Sequence, residues 1–358
     1  MKAVVLVGGE GTRLRPLTLS TPKQMLPIVG VPMIERVLTQ LGAHGVDEVI
    51  LSLGYLPDAF KAAYPDGHAV GLRLTYAVES EPLDTAGAVR FAATFGGVDD
   101  TFVVVNGDVL TDLDLSSLVA FHRQRKAEGT LALHPVSDPS AFGVVPTDSD
   151  GRVTAFVEKP PRDDAPTNEI NAGTYIFEAS VLDRIPPTGR VSIERDTFPA
   201  MVRSGVLFAR SDDSYWLDTG TPADYLQANR DLVSGQRTGS LGPNLRDRGD
   251  RVYLEGESTI SGRVVGPSVI FRGCTIAEGA RVERSVLGAG SVIETGAVVV
   301  DCVLMDDCHV AVDAKVVGSV LGPHATVGQR ADVRPVSVLG AHAMVASGTL
   351  VDGERVSG

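Results

Sequence analysis

Cysteine and aromatic residues are scarce: 358 residues include three cysteines, one tryptophan and 5% Phe, Trp and Tyr together. Cys274, Cys302 and Cys308 are too few and too unevenly spaced for a disulfide framework. They suit a reducing compartment, and a cytoplasmic location is expected. Long apolar runs are missing too, since none approaches the roughly 20 residues of a membrane-spanning helix, so no membrane role is expected. The opening Met1-Lys2-Ala3-Val4-Val5-Leu6-Val7 is apolar too briefly for a secretion signal and runs straight into glycines. Basic residues are in deficit, 32 against 45 acidic, for a net charge of −13. That balance argues against non-specific nucleic-acid binding, which needs a basic footprint. It leaves phosphate ligands open, because a few local cations suffice for those. What the chain does have is 43% hydrophobic residues. At roughly 100–200 residues per domain, the length suits two globular domains with substantial cores.

The two halves follow different periodicities. From residue 1 to 232, short β-rich runs alternate with helical spacing. Lys2–Val7, Glu48–Leu53, Arg73–Val78 and Thr101–Asn106 read as strands. Pro32 opens a helix with Met33, Ile34, Val37, Leu38 and Leu41 on one face. Such alternation predicts an α/β domain with a mixed, mostly parallel sheet, and ligands in the crevice beyond the strands' carboxyl ends. The stretch 233–256, rich in Gly, Arg and Asp, reads as a linker. From residue 257 to 358 aliphatic residues return every six positions. They fall at Val264, Ile270, Ile276 and Val282, then at Val286, Val292, Val298, Leu304, Val310 and Val316. After a second slip they continue at Leu321, Val327, Val333, Leu339, Val345 and Val351. Six residues turn an α-helix by about 600°, so no helix keeps this set on one face. Three six-residue sides per coil do, which predicts a parallel β-helix of about five 18-residue coils.

The segment after the first strand is Gly8-Gly9-Glu10-Gly11-Thr12-Arg13-Leu14-Arg15-Pro16-Leu17-Thr18, followed by Thr21-Pro22-Lys23. Glycines after a buried strand let backbone N–H groups approach an anion, which Thr12, Arg13 and Lys23 can then neutralise. Pro16 and Pro22 are expected to keep the stretch extended, and neither a dinucleotide fingerprint nor a Walker loop is present. A tight turn with surface cations is the plainer reading of the same glycines. Asn106-Gly107-Asp108 reads as a turn with a capping Asp or as a carboxylate delivered to the crevice. Glu158-Lys159-Pro160 reads as a solvated pair or a ligand pair, and Trp216 as core or site.

Taken together and in order, these segments resemble the sugar-1-phosphate nucleotidylyltransferases. The resemblance rests on Gly8–Pro27, Asn106-Gly107-Asp108, Phe156–Pro160, Ile170–Tyr175 and Tyr215–Pro222. Within that family the chain is most similar to the mannose-1-phosphate guanylyltransferases, whose Leu-x-Thr-Ala-Gly element (Leu83–Gly87) and hexapeptide tail it shares. The resemblance implies a Rossmann-like nucleotidyltransferase domain followed by a left-handed parallel β-helix. It implies Arg13, Lys23 and Asp108 as catalytic groups, with Gly8, Gly9, Gly11, Thr12, Arg13, Lys23, Glu79 and Gly107 around the nucleotide. The sugar phosphate falls to Gly143, Glu158, Lys159, Asn171, Tyr175 and Trp216, and Mg²⁺ to Asp108 and Asp218.

The reaction asks for such groups. A sugar-1-phosphate oxygen attacks the α-phosphorus of a nucleoside triphosphate and expels pyrophosphate. The nucleophile is already ionised, so the work is positioning and charge stabilisation. Arg13 offers a planar fork for phosphates and Lys23 a point charge; aspartates are hard donors for Mg²⁺. Guanine presents two adjacent donors that one carboxylate can accept, supplied by Glu79 or by Glu81. The expected partners are therefore GTP and a hexose-1-phosphate, mannose-1-phosphate first, with a homo-oligomer built through the β-helix. Two residues depart from the family pattern. Asp84 stands where Gly is usual, and Glu10 adds a carboxylate to the phosphate loop. They keep open a cyclitol or other pseudo-sugar phosphate as acceptor. The same motifs also admit thymidylyl or uridylyl transfer to glucose-1-phosphate, or a non-catalytic regulatory paralogue. The β-helix histidines His309, His324 and His342 show no compact ligand spacing, so zinc is not expected.

Overall fold

A computed structural model describes residues 1–242 and 244–358. The chain divides into two compact bodies. One comprises Met1–Gly9 with Met33–Trp216, the other Glu10–Pro32 with Leu217–Gly358.

In the first body the strand Lys2–Leu6 lies between Glu48–Leu53 and Phe102–Asn106, parallel to both. Leu72–Val78 continues the parallel set beyond Glu48–Leu53. The chain thus builds outward to one side of Lys2–Leu6, then returns to its other side at Phe102. That makes a switch point, and the carboxyl ends of the two strands that flank it, Leu6 and Asn106, are in register. Glu169–Phe177 then runs antiparallel to both Phe102–Asn106 and Gly129–Pro135, which gives the expected mixed sheet. Helix Met33–Ala43 buries Met33, Ile34, Val37, Leu38 and Leu41, the face its spacing predicts. Among the described residues no helix is long and apolar enough to cross a membrane.

The second body is built around a β-helix of three sheets, one per side, parallel throughout except for the antiparallel edge strand Leu245–Asp247. Ile270, Leu287, Leu304 and Leu321 stack in register, so a coil takes 17 residues instead of 18. One residue is dropped at the same corner in three successive coils, between Val282 and Leu287, Val299 and Leu304, and Val316 and Leu321, beside Ser285, Cys302 and Ser319. The step from Leu321 to Leu339 takes 18, as does that from Val264 to Val282, while the step from Leu254 to Ile270 takes 16. The interior is therefore filled by Leu287, Ile293 and Val299, not by Val286, Val292 and Val298 as the six-residue count had it. Strands also occupy part of the expected linker, at Leu245–Asp247 and Val252–Glu255. The second of these pairs in parallel with Ser268–Ile270. Arg246 and Asp247 are exposed and mask the strand pattern.

All three cysteines are buried and unpaired. Burial pushes the Cys274 thiol up to about 11 and the Cys302 and Cys308 thiols up to about 12, so they act as inert wall residues.

Candidate active site

In the first body the chain leaves the sheet at Val7, whose N–H donates to Ser52 O at 3.1 Å. Gly8 and Gly54, each just past a parallel strand, pass so closely that a Cβ on Gly54 would lie 3.1 Å from Gly8 O. Glu79 ends the third strand of this set. Its Oε1 accepts the Ser52 hydroxyl at 3.0 Å and its Oε2 accepts Leu83 N–H at 3.2 Å. The carboxylate is half-buried and Oε1 lies 3.7 Å from where a Gly8 Cβ would be. Glu81 is exposed. Of the two candidate acids, Glu79 is therefore the one turned toward the glycines.

Helix Asp84–Phe95 begins with its amides already engaged: Ala86 and Gly87 N–H donate to Val191 O at 2.9 and 3.2 Å. Those donors are not offered to an anion. Asp84 sits in the left-handed region at φ 61°, exposed, and its own Oδ1 accepts Thr85 N–H at 2.9 Å. A residue without prediction joins here. Glu194, in a π-helical turn over Ile193–Thr197, accepts the Thr85 hydroxyl at 3.0 Å and the Ser192 hydroxyl at 2.9 Å on one oxygen. No spacing in the sequence marks it.

Beside the glycines, Gly107 N–H donates to Leu6 O at 2.9 Å, and a Cβ there would overlap Val7. That close approach carries Asp108, half-buried, past the end of its strand. Gly173, at φ 74°, forms a bulge in Glu169–Phe177 against the Asn106 side chain. Asn171 is held across the bulge: its Nδ2 donates to the Tyr175 hydroxyl at 2.9 Å and its Oδ1 accepts Gly173 N–H at 3.1 Å. Tyr175 itself is 1% exposed and packs on Phe177 and Phe198. It cannot touch a sugar, and the structure moves it behind Asn171 as a support. Burial, with Glu194, Glu158 and Asp108 nearby, pushes its hydroxyl pKa up and keeps it neutral.

Gly143 pairs with Glu158, and a Cβ on Gly143 would overlap the Phe156 ring and lie 3.0 Å from Glu158 Oε2. Lys159 follows in the left-handed region at φ 49°, its Nζ 3.5 Å from Glu158 Oε1 and mostly exposed. Trp216 donates from Nε1 to Ala172 O at 2.9 Å and packs between His134 and Phe142. It braces the bulge and the Glu158 hairpin together.

In the second body the phosphate-loop candidates Gly11 to Lys23 are not extended. They fold into three 3₁₀ turns, Thr12–Leu14, Leu17–Leu19 and Lys23–Met25, so that the prolines separate turns instead of straightening the chain. Gly11, at φ 61°, is packed against Thr18 and the Lys23 Cβ, and the buried Thr18 hydroxyl donates to its carbonyl at 2.8 Å. Thr12 is exposed and Lys23 buried. Arg13 is exposed, its guanidinium across Gly220, where an added Cβ would overlap it and sit 2.9 Å from Asp218 Oδ1. Arg13 and Asp218 thus share one small volume. Glu10 pairs with Arg15 at 2.7 Å, which neutralises the extra carboxylate of the loop. Among the described residues no group of three or more His, Cys, Asp or Glu could hold a metal. A divalent ion on Asp108 or Asp218 would therefore draw most of its shell from phosphate oxygens and water, which is how Mg²⁺ is commonly bound.

Residues 2–235 match the nucleotidyl transferase family and residues 264–358 the GMPPB C-terminal domain family. A mannose-1-phosphate guanylyltransferase from Mycobacterium tuberculosis is 45% identical over 82% of this chain and 81% of its own. A UTP–glucose-1-phosphate uridylyltransferase from Synechocystis is 36% identical over 80% of this chain and 82% of its own. Among solved structures, HddC from Yersinia pseudotuberculosis complexed with GMP-PN is 31% identical, with a TM-score of 0.55, covering 64% of this chain and 97% of that one.

Proposed function

The chain belongs to the nucleotidyl transferase family, and on that footing we propose that it condenses GTP with mannose-1-phosphate to GDP-mannose and pyrophosphate. Glu79 is the observation that carries the base assignment. Its carboxylate is fixed by Ser52 and Leu83, leaving lone pairs on both oxygens for guanine N1–H and the N2 amino group. Uracil offers one donor flanked by two acceptors, which a carboxylate repels. The 45% identity to a guanylyltransferase supports the same base and acceptor. The HddC complex with GMP-PN supports nucleotide binding.

Gly8, Gly9, Gly11, Thr12 and Gly107 give close backbone access to the triphosphate, Arg13 its fork to the outer phosphates and Lys23 its charge to the reacting one. Glu158 and Asn171 bind sugar hydroxyls, with Lys159 on the sugar phosphate. Gly143, Tyr175 and Trp216 keep those three in place. Asp108 and Asp218 are the donors for Mg²⁺, which when bound supplies positive charge to the phosphates. The sugar-phosphate oxygen forms the new bond to the α-phosphorus as the bond to pyrophosphate breaks, with no proton to remove. A cytoplasmic homo-oligomer packed through the flat β-helix faces fits the same reading.

Turnover measured with GTP, UTP, dTTP and ATP against mannose-, glucose- and cyclitol-1-phosphates tests it. GTP with mannose-1-phosphate is expected to dominate by at least tenfold. The uridylyltransferase similarity makes UTP with glucose-1-phosphate the second reading, and turnover with that pair while GTP stays inert overturns the first.

A further inference from the structure

The loop that carries Arg13 and Lys23 forms one wall of a chamber of about 380 Å³ that the proposed reaction leaves unused. Leu17, Leu26 and Pro27 line it from the loop, and Phe271, Val303 and Met305 from one side of the β-helix. Roughly 300–1,000 Å³ is the usual size of a small-molecule site. An adjoining depression of about 630 Å³ shares Glu255 and Arg272 with the chamber and adds Arg246 and Arg248. Three guanidiniums therefore ring one rim of a chain whose net charge is −13. The counter-charges lining the two spaces are Glu255, Glu257 and Asp306, and Arg272, 74% exposed, reaches Glu255 only at 3.8 Å. In the chamber Asp306 is already engaged, accepting Ala289 N–H at 2.9 Å. Apolar side chains within and exposed arginines at the mouth suit an occupant with an apolar body and an anionic head.

We propose that this chamber is a binding site for a small amphipathic anion, its body between Leu17 and Phe271 and its phosphate or carboxylate on Arg272 and the neighbouring arginines. Its occupancy adjusts the loop's grip on the nucleotide, a step that rests on the reading of Arg13 and Lys23 given above. The lever is short. Thr18, next to Leu17, holds the Gly11 carbonyl at 2.8 Å, and Leu26 N–H donates to Lys23 O at 3.1 Å. A body pressed against Leu17 and Leu26 moves both anchors.

The test uses the full chain and the fluorescent aryl sulfonate 8-anilinonaphthalene-1-sulfonate as probe, with octyl phosphate and octanoate as competitors. One saturable site is expected. Arg272→Glu is expected to weaken it at least tenfold, and Val303→Phe, which fills the chamber, to abolish it, with circular dichroism and Tm unchanged. The better competitor assigns the head group. Probe or competitor is expected to change the nucleotide KM severalfold in the unsubstituted chain and not in Val303→Phe. Equal probe affinity in Arg272→Glu overturns the site, and because Arg272 is a surface residue this holds whether or not Phe is tolerated at 303. Binding that leaves KM and kcat unmoved overturns the coupling. Where GTP is inert, the same kinetics with the nucleotide that is used decide the coupling, so the base assignment and this site fail separately.

Discussion

A carboxylate pinned between a serine hydroxyl and a backbone amide cannot turn to suit whichever base arrives, and Glu79 is held in that way. In the proposed guanine site, Glu79→Gln would replace one acceptor oxygen with a donor facing guanine's own donors. A buried mismatch of this kind costs about 1–3 kcal/mol. The GTP KM is therefore expected to rise roughly 10- to 100-fold and the preference for GTP over UTP to fall in steady-state kinetics, while the sugar-phosphate KM stays put. His122 poses a stability question at the same scale. It is 1% exposed, with ring nitrogens 2.8 Å from the Thr130 hydroxyl and 3.0 Å from Glu178. Burial holds its pKa below the ordinary 6.5, against the pull of Glu178. The unfolded chain therefore takes up a proton near pH 6.5 that the folded chain refuses. Stability is expected to fall as pH drops through that value and to level off below the folded pKa. Urea midpoints from pH 8 to 5 should show this slope, and His122→Asn should flatten it. Single residues were read from sequence with uneven success because type does not reveal burial. Glu79 and Glu81 look alike until the strand end turns one inward. Tyr175 looks like a sugar contact until its ring proves to be core, and Glu10 looks disruptive until Arg15 is found beside it.

Elements were easier to read, because periodicity reports which face is buried. The β-helix was legible from its aliphatic hexads, and the parallel strands from their apolar runs. What periodicity could not resolve was phase within doublets such as Val292-Ile293 and Val298-Val299, where either residue can be the inward one. Seventeen-residue coils settle it for Ile293 and Val299, both fully buried, while Val292 and Val298 are half-exposed on the outer surface. Ile293→Ala should cost about 2–5 kcal/mol, and Val292→Ala less than about 1 kcal/mol, measured by denaturant unfolding. The reverse order would restore the six-residue phase. The strands at 245–255 escaped notice for a related reason: an outer strand of a solvated coil carries Arg, Asp and Glu, the residues that elsewhere mark a linker. The 3₁₀ turns between Thr12 and Met25 leave no clear sequence signal, because two prolines suggest extension, yet each also fits the start of a tight turn.

At the scale of the whole molecule, the hexapeptide region looked like a separable module attached behind a catalytic domain. The contacts within the second body argue otherwise. Tyr225 donates its hydroxyl to Pro27 O, and Asn229, 1% exposed, accepts Val29 N–H at 2.8 Å, so helix Pro222–Ser234 clamps the end of the loop that carries Arg13 and Lys23. The β-helix takes the rest. Leu17 and Pro16 pack so closely on its turns that a Cβ at Gly322 or Gly340 would come within 3.0 Å of them, and Gly30 meets the Phe271 ring. Leu17 is 4% exposed and Leu26 2% exposed in this packing. Ending the chain after Ser234 would open that wall to water and leave the loop on short turns alone, which are weakly stable without tertiary support. We expect such a fragment to keep the circular-dichroism signature of an α/β fold. Its turnover should drop at least tenfold, with faster hydrogen exchange at Leu14, Met25 and Leu26 N–H, which close the turns. Undiminished turnover in the fragment would confine the β-helix to assembly. A loss of turnover with those three amides still protected would place its contribution away from the loop. Both losses together would mean that the β-helix holds the phosphate-binding loop in shape, so that one continuous packing surface serves the chemistry as well as the architecture.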